Sequence, residues 1–254
     1  MTADTPALAV TDLTKIYRRS HLGRTKTTRG VEKINLAVRD GEVFGLLGLN
    51  GSGKTTTIKL LLGLLFPTSG RIDVLGAPAG SRAAKAAIGY LPEIPYFYKY
   101  LSGRDVLTFY GQLSGLTGEA LRQRVDAALD VVRMKDHARR AMREYSKGML
   151  QRIGLAQSFL HDPKILIYDE PVTGVDPLGL REMREIIQGL NQKGKTIFFS
   201  SHSISEVEKL CHRVGILVQG RLVRVVEQKE WAAEPGRLEE VFVQTVSPDH
   251  AHVR

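Results

Sequence analysis

One eight-residue segment constrains the fold of this chain more than any other. Gly48–Thr55 reads Gly-Leu-Asn-Gly-Ser-Gly-Lys-Thr, and its spacing matches loops that bind phosphate groups. An apolar run precedes it at 42–47 and helical spacing follows at 54–65, so we predict a strand, this phosphate loop and a helix. Glycines let the backbone curl so that successive N–H groups point inward, and the helix N-terminus adds a positive end. The alternative is a glycine-rich turn that binds nothing.

Each residue type in the phosphate loop has an expected role. Lys54 should reach the terminal phosphates of a nucleotide, and the Thr55 hydroxyl should hold Mg²⁺. The other expected nucleotide contacts are Gly48, Asn50, Gly51, Ser52, Gly53 and Thr56.

A second apolar run, Ile165–Tyr168, ends in two acids. Asp169 is placed to bind the metal ion, directly or through water. Glu170 is placed to polarise the attacking water as a general base. The alternative is that this acid pair only caps the following helix.

Three further residues are candidates for the same site. Tyr17 follows the first predicted strand and could stack on adenine, or it could simply pack. His202 follows the strand predicted at 196–200 and could contact the terminal phosphate, or it could be structural. Glu93 follows the strand predicted at 88–91 and could contact Mg²⁺ or the attacking water.

Strand and helix patterns alternate along most of the chain, which predicts a mostly parallel sheet covered on both faces. Two helical patterns without an intervening strand, at 105–113 and 121–132, indicate a helical insertion, and a polar basic stretch, 18–30, suggests an exposed loop. Further strands are predicted at 8–13, 34–38, 214–218 and 222–226, and further helices at 146–160, 178–190 and 205–210.

Three more segments complete an ordered series of motifs. Tyr145–Arg152 resembles the signature segment of the ABC ATPase family, Thr173–Asp176 resembles its loop at the dimer interface, and Ser201-His202 resembles its switch histidine. The resemblance runs from Tyr17 to about 218. It implies an α/β fold of the P-loop NTPase, ABC ATPase type, with a mostly parallel core sheet, N-terminal antiparallel strands and a helical insertion.

The resemblance also implies a domain organisation. The chain would form a single ABC ATPase domain over 1–254. A RecA-like core would comprise 1–94 and 162–230, with the helical insertion at about 95–161 and a short C-terminal helix at 237–246.

The signature segment predicts a second anion site. Ser146 should cap the helix that follows, and the nearby N–H groups, including that of Gly148, should bind an anion. In the family this anion is the γ-phosphate of ATP held by the opposite subunit, and Asp176 lies in the interface loop. The chain would therefore need a second ATP-binding subunit, either another copy or a related chain.

The sequence departs from the family pattern at three positions. Lys147 and Met149 replace the usual glycine and glutamine of the signature segment. Glu93 stands where most members carry glutamine, and a carboxylate cannot donate a hydrogen bond. Gly89–Glu93 and Leu238–Phe242 resemble the ABC-2 type exporter branch, whose membrane partners are separate polypeptides.

Composition bears on whether the chain crosses a membrane, carries a secretory signal, forms a disulfide or binds zinc. The most apolar run, Leu60–Phe66, is too short to cross a bilayer, and Met1–Val10 lacks the pattern of a secretory signal. Cys211 is the only cysteine, so an internal disulfide and a cysteine cluster for zinc are impossible. The net charge of +9 fits an ordinary solvated surface, a nearby acidic membrane or a nucleic acid.

These observations predict an ATP- and Mg²⁺-dependent ATPase subunit that powers export by a separate membrane-spanning permease. We expect it to lie peripherally at the cytoplasmic face of the inner or plasma membrane, without a nucleic-acid partner. The alternative is a soluble ABC ATPase that acts on ribosomes or nucleic acid, although the chain lacks the tandem cassettes typical of that class. A regulator without turnover is a third reading, against which Glu170 argues.

An aromatic-rich stretch, Ile94–Tyr100, follows Glu93. In the family this junction forms a groove that receives a short helix of the membrane subunit, and exposed aromatic side chains suit such a groove. The alternative is that these rings pack inside the helical insertion.

Overall fold

The computed structural model describes residues 5–21 and 24–250, with the backbone alone described at 19–21, 24–26 and 248–250. The strands are β1 (Leu8–His21), β2 (Arg24–Val38), β3 (Val43–Leu47), β4 (Ser69–Val74), β5 (Ala77–Pro78), β6 (Ile88–Leu91), β7 (Ile165–Asp169), β8 (Thr196–Ser201), β9 (Arg213–Val218) and β10 (Arg221–Glu227). The helices are α1 (Lys54–Leu61), α2 (Arg82–Ala87), α3 (Gly103–Leu113), α4 (Gly118–Val131), α5 (Lys147–Phe159), α6 (Pro177–Gln192), α7 (Ile204–Leu210) and α8 (Arg237–His250).

The chain divides into two compact units, and the first combines residues up to 87 with residues from 196 onward. It contains an antiparallel sheet in the order β2–β1–β4–β5 and a run of strands in the order β10–β9–β3–β8. β3 is parallel to both β8 and β9 and is buried along its whole length, as expected for a strand covered on both faces. Phe44 of β3 stacks on Phe198 of β8, with ring centroids 5.7 Å apart.

The second unit spans residues 88–195. β6 and β7 pair in parallel, and α3, α4 and α5 contact one another. Ser102 begins α3 with a capping box, since its side chain accepts from the Asp105 N–H and the Asp105 side chain accepts from the Ser102 N–H. The predicted strand at 88–91 and the helices of this unit are confirmed to within a few residues.

The prediction of an exposed loop at 18–30 is wrong. β1 and β2 pair without interruption from Ile16 with Arg29 to His21 with Arg24, so this stretch is a two-stranded ribbon whose connection at 22–23 lies outside the described residues. Arg18, Thr27 and Thr28 are exposed. A ribbon of polar residues lacks the apolar alternation that indicates a strand, although threonine favours strands.

Other differences from the predictions concern the segment after the phosphate loop. α1 ends four residues before its predicted end because the chain turns, with the N–H groups of Leu64 and Leu65 both donating to the Lys59 carbonyl. β4, β5 and α2 were not predicted, and half of β4 is exposed, which weakens its pattern. The predicted α/β class, with antiparallel N-terminal strands and mostly parallel core strands, is confirmed. Across the described ranges, no helix combines the length and the apolarity needed to cross a membrane.

Candidate functional site

The phosphate loop connects β3 to α1 in the first unit. Gly53 caps α1 with a φ of 108°, a region that side-chain-bearing residues rarely adopt. A β-carbon there would lie 2.7 Å from the Gly30 carbonyl oxygen, so both conformation and space require glycine. The Gly53 carbonyl accepts from the Thr57 N–H at 2.9 Å, which starts the helix directly behind the loop.

A cation and an unpaired hydroxyl lie inside the phosphate loop. Lys54 is 7% exposed, and its Nζ donates to the Gly48 carbonyl at 2.7 Å and the Leu49 carbonyl at 3.3 Å. The buried Ser52 Oγ has no hydrogen-bond partner among the described residues. Leaving such a group unsatisfied costs ~1–3 kcal/mol. The loop thus fits an anion that accepts from both groups, which is the chemistry of a nucleotide phosphate.

Several other residues predicted to contact the nucleotide lie at or beside the loop. Asn50, Gly51 and Thr55 are exposed at its rim. Gly48 N–H donates to the Ser201 carbonyl at 3.4 Å, so His202, which is exposed, follows β8 at the sheet edge where the loop begins.

Tyr17 lies beside the start of α1. Its hydroxyl is 3.3 Å from the Thr56 Oγ1, and a β-carbon on Gly30 would lie 2.7 Å from the Tyr17 Cε2. Lys15 Nζ is 5.6 Å from the ring centroid. The ring therefore packs against the ribbon backbone while remaining partly exposed. Packing and stacking on a base are both compatible with this placement.

The acid pair ends β7 in the second unit. Asp169 is 3% exposed and Glu170 is 7% exposed. Glu170 has a φ of 49°, which is uncommon for a residue with a side chain and is found often at functional sites. Thr173 Oγ1 donates to Glu170 Oε2 at 3.3 Å, and the Thr173 N–H donates to the Glu170 carbonyl at 3.2 Å. A short turn thus fixes the carboxylate.

Tyr90 is a neighbour of the acid pair that the sequence did not reveal. Tyr90 pairs with Ile167 across β6 and β7, and Asp169 lies two residues farther along β7, on the same face. Burial raises the pKa of Tyr90 to about 12, and the negative charge of Asp169 contributes to the increase. Ionisation of this hydroxyl is therefore harder than that of an exposed tyrosine. The position of Tyr90 beside Asp169 depends on the register of β6 and β7, which no sequence pattern indicated.

The signature segment and the interface loop each contain a helix cap. Ser146 Oγ accepts from the Met149 N–H at 3.3 Å at the start of α5. Asp176 Oδ1 accepts from the Gly179 N–H at 2.8 Å at the start of α6. Gly148 faces the interface loop, since a β-carbon on it would lie 3.8 Å from the Val175 Cγ1.

Glu93 is exposed, and the structure fixes its backbone. Its carbonyl accepts from the Gln151 Nε2 at 2.8 Å. Gln151 is fully buried and its Oε1 has no partner among the described residues. This link between the signature helix and the residue after β6 was not predicted, because the two positions are far apart in sequence.

The structure thus describes two groups of predicted site residues, each within its own unit. The first contains Tyr17, the phosphate loop and His202. The second contains Glu93, the acid pair, the cap and glycine of the signature segment, and Asp176.

Comparison with known proteins gives this chemistry a family. The ABC transporter family profile matches residues 31–173. An uncharacterised ABC transporter ATP-binding protein of Nostoc sp. is 48% identical over 225 residues, which cover 87% of this chain and 67% of that protein. The bacitracin transport ATP-binding protein BcrA of Bacillus licheniformis is 37% identical over 222 residues, 86% of this chain and 69% of that protein.

Solved structures agree with the sequence relatives. The structure of an ATP-binding subunit of an ABC transporter superimposes with a TM-score of 0.79 and 28% sequence identity, covering 94% of this chain and 99% of that chain. A subunit from Clostridium perfringens, part of the transporter complex cbiONQ, gives a TM-score of 0.78 at 28% identity over 98% of each chain. The chain therefore belongs to the ABC transporter family, as an ATP-binding subunit with the ATPase chemistry of that family.

Proposed function

We propose that this subunit dimerises when ATP binds and that hydrolysis of the ATP powers export by a separate membrane-spanning permease. The observation that carries the proposal is the phosphate loop, in which the Lys54 ammonium is held against the Gly48 carbonyl and the buried Ser52 hydroxyl has no hydrogen-bond partner within the described ranges. A structural turn would have no reason to bury an unsatisfied hydroxyl.

The residues for nucleotide binding follow from the geometry and the family. Backbone N–H groups of the loop and Lys54 would hold the phosphates, and Tyr17 would stack on the adenine. Thr55, Glu93 and Asp169 would hold Mg²⁺, which neutralises charge on the phosphate oxygens when bound.

Hydrolysis requires a base for the attacking water. Glu170 would accept a proton from that water, and its turn with Thr173 presents the carboxylate in one orientation. His202 would contact the terminal phosphate. General-base catalysis of this kind contributes ~10²–10⁴-fold to the rate.

Dimerisation would complete the site. The capped helix end at Ser146, together with Gly148 and Asp176, would act on ATP held by a second ATP-binding subunit, most simply another copy of this chain. The single domain over 1–254, with a core and an insertion at about 95–161, is part of this proposal.

The permease would bind at the aromatic patch, defined as Tyr96, Tyr98, Tyr100 and Phe109. The three tyrosines are 82%, 56% and 72% exposed. The Tyr98 ring contacts those of Tyr100 and Phe109, with centroids 5.8 and 6.4 Å apart. Clustered exposed aromatic side chains are typical of protein interfaces. The subunit would then lie peripherally at the cytoplasmic face of the membrane, and we propose no nucleic-acid partner.

The test is a pull-down of the proposed permease partner, using the double substitution Tyr96→Ser and Tyr98→Ser. We expect an unchanged melting temperature and unchanged basal ATPase activity, with loss of the permease, because aromatic anchors cost ~2 kcal/mol or more when removed. Phe66→Ser is the matched control, since Phe66 is an 81% exposed aromatic side chain of the first unit. Full recovery of the permease by the double variant would refute the patch, and co-purified ribosomal RNA would favour the soluble class.

A further inference from the structure

Lys147 occupies a signature position that is glycine in the usual family pattern. It is the first residue of α5, directly after the cap Ser146. Its side chain lies across Gly174 of the interface loop. A β-carbon on Gly174 would lie 3.1 Å from Lys147 Cε and 3.4 Å from Cδ, with Nζ nearer still. The outer half of the lysine side chain, from Cδ to Nζ, therefore fills the space that a side chain at residue 174 would need.

Gly174 has a φ of 71°, a left-handed conformation that glycine adopts at little cost. The loop residues on both sides of it are also held. The Val175 Cγ1 lies 3.8 Å from the β-carbon position of Gly148 and 2.7 Å from that of Gly179. Lys147 thus packs against one side of the segment 173–176, and the Asp176 cap fixes the end of that segment.

The same segment supports Glu170. Thr173, next to Gly174, donates its hydroxyl to Glu170 Oε2 and its N–H to the Glu170 carbonyl. Glu170 adopts a positive φ, a conformation that persists only when the surrounding structure enforces it. A continuous set of contacts therefore runs from Lys147 through Gly174 and Thr173 to Glu170.

We infer that Lys147 is a positioning residue for hydrolysis: its stem holds the interface loop so that the Thr173 hydroxyl orients the Glu170 carboxylate. The inference rests on the proposed role of Glu170 as general base. The rate of the chemical step should therefore depend on the length of the side chain at residue 147 and not on its charge.

The first experiment compares Lys147→Gly with Lys147→Met in steady-state ATPase assays. Lys147→Gly removes the stem, so kcat should fall by about tenfold, the scale of one hydrogen bond to a charged group, with an unchanged KM for ATP. Lys147→Met keeps an unbranched side chain without the charge. Its kcat should stay within about twofold of that of the parent, because the proposed role does not depend on the charge of the ammonium group. Loss of activity in Lys147→Met with a raised KM would overturn the inference, because the ammonium would then act on the nucleotide.

The second experiment tests the link through Thr173. Thr173→Val should lower kcat by about tenfold, and Thr173→Ser, which restores the hydroxyl, should recover it. The double variant Lys147→Gly, Thr173→Val should be no slower than Thr173→Val alone, since residues in one network are not additive. Multiplied defects in the double variant would refute a shared path. Melting temperature and ATP affinity, measured on each variant, exclude simple unfolding.

Glu170→Gln, measured in parallel, distinguishes a failure of Glu170 as the proposed base from a failure of Lys147 as its positioning residue. Near-normal turnover in Glu170→Gln would mean that the proposed base is wrong. Slow turnover in Glu170→Gln together with normal turnover in Lys147→Gly would leave the proposed function intact and refute the positioning role of Lys147.

Discussion

The phosphate loop and the surroundings of Glu170 are built from different kinds of contact. Inside the loop, Lys54 bonds to carbonyls five and six residues before it. The Glu170 carboxylate accepts from Thr173, and Lys147, from another segment of the chain, lies against Gly174, the next residue. Local contacts are visible as a motif, whereas contacts between distant segments appear only in the fold. Substitutions within the phosphate loop should therefore impair nucleotide binding directly. The function of Glu170 should also be sensitive to substitutions far from it in sequence.

The largest expected effect comes from Glu170→Gln. The amide cannot accept the proton of the attacking water, so hydrolysis should slow by roughly 10²–10⁴-fold, while ATP binding persists because the phosphate loop is unchanged. Size-exclusion chromatography with ATP should show an accumulated dimer. Glu239→Gln, at an exposed position of α8, is the charge-matched control. Normal turnover in the Glu170 variant would contradict its role as base.

Ser146→Arg should abolish ATP-driven dimerisation. The arginine removes the α5 cap and fills the anion site that would serve the other subunit, whereas the phosphate loop lies elsewhere in the chain. Equilibrium binding of a fluorescent ATP analogue to the monomer should be unchanged, and light scattering should show no dimer. If monomer binding is lost as well, the signature segment has been assigned the wrong task.

Ser52→Ala separates the two tasks of the phosphate loop. Without nucleotide the variant should be as stable as the parent or more so, since it removes a buried hydroxyl that has no partner in the described part of the chain. With nucleotide it should bind ATP about tenfold more weakly, because a hydrogen bond to a charged group contributes ~1.5 kcal/mol or more. Thermal melts with and without ATP measure both effects. A destabilised protein with full ATP affinity would show that the hydroxyl serves the fold.

The smallest effect is expected for Tyr17→Ala. Stacking on a base contributes ~0.5–1.5 kcal/mol, so ATP affinity should fall by up to roughly tenfold, and GTP should compete because stacking tolerates either base. Tyr17→Phe is the control that keeps the ring and removes the bond to Thr56. An unchanged dissociation constant for ATP in the alanine variant would leave Tyr17 as a packing residue.

The sequence indicated the loop, the buried strands and the cap at Ser146 because these features depend on neighbouring residues. The Ser146 cap is confirmed, whereas the cap that Asp176 provides for α6 was not predicted. The sequence did not indicate the strands at 18–30, where polar side chains hide the period of two. Nor did it indicate Tyr90 beside Asp169 or Gln151 beside Glu93, because those contacts depend on register and on the packing of distant segments.

The ribbon of β1 and β2 also sets where the protein should open most readily. β4 pairs with β1 only as far as Thr14, so the amides of the ribbon beyond it have one neighbouring strand, whereas β3 has a strand on each side. Local unfolding costs least where few contacts must break, so these amides should exchange hydrogen with water sooner than those of β3. Tyr17 lies in β1 beside these amides, so slower exchange there on addition of ATP would support the proposed stacking of Tyr17 on the adenine.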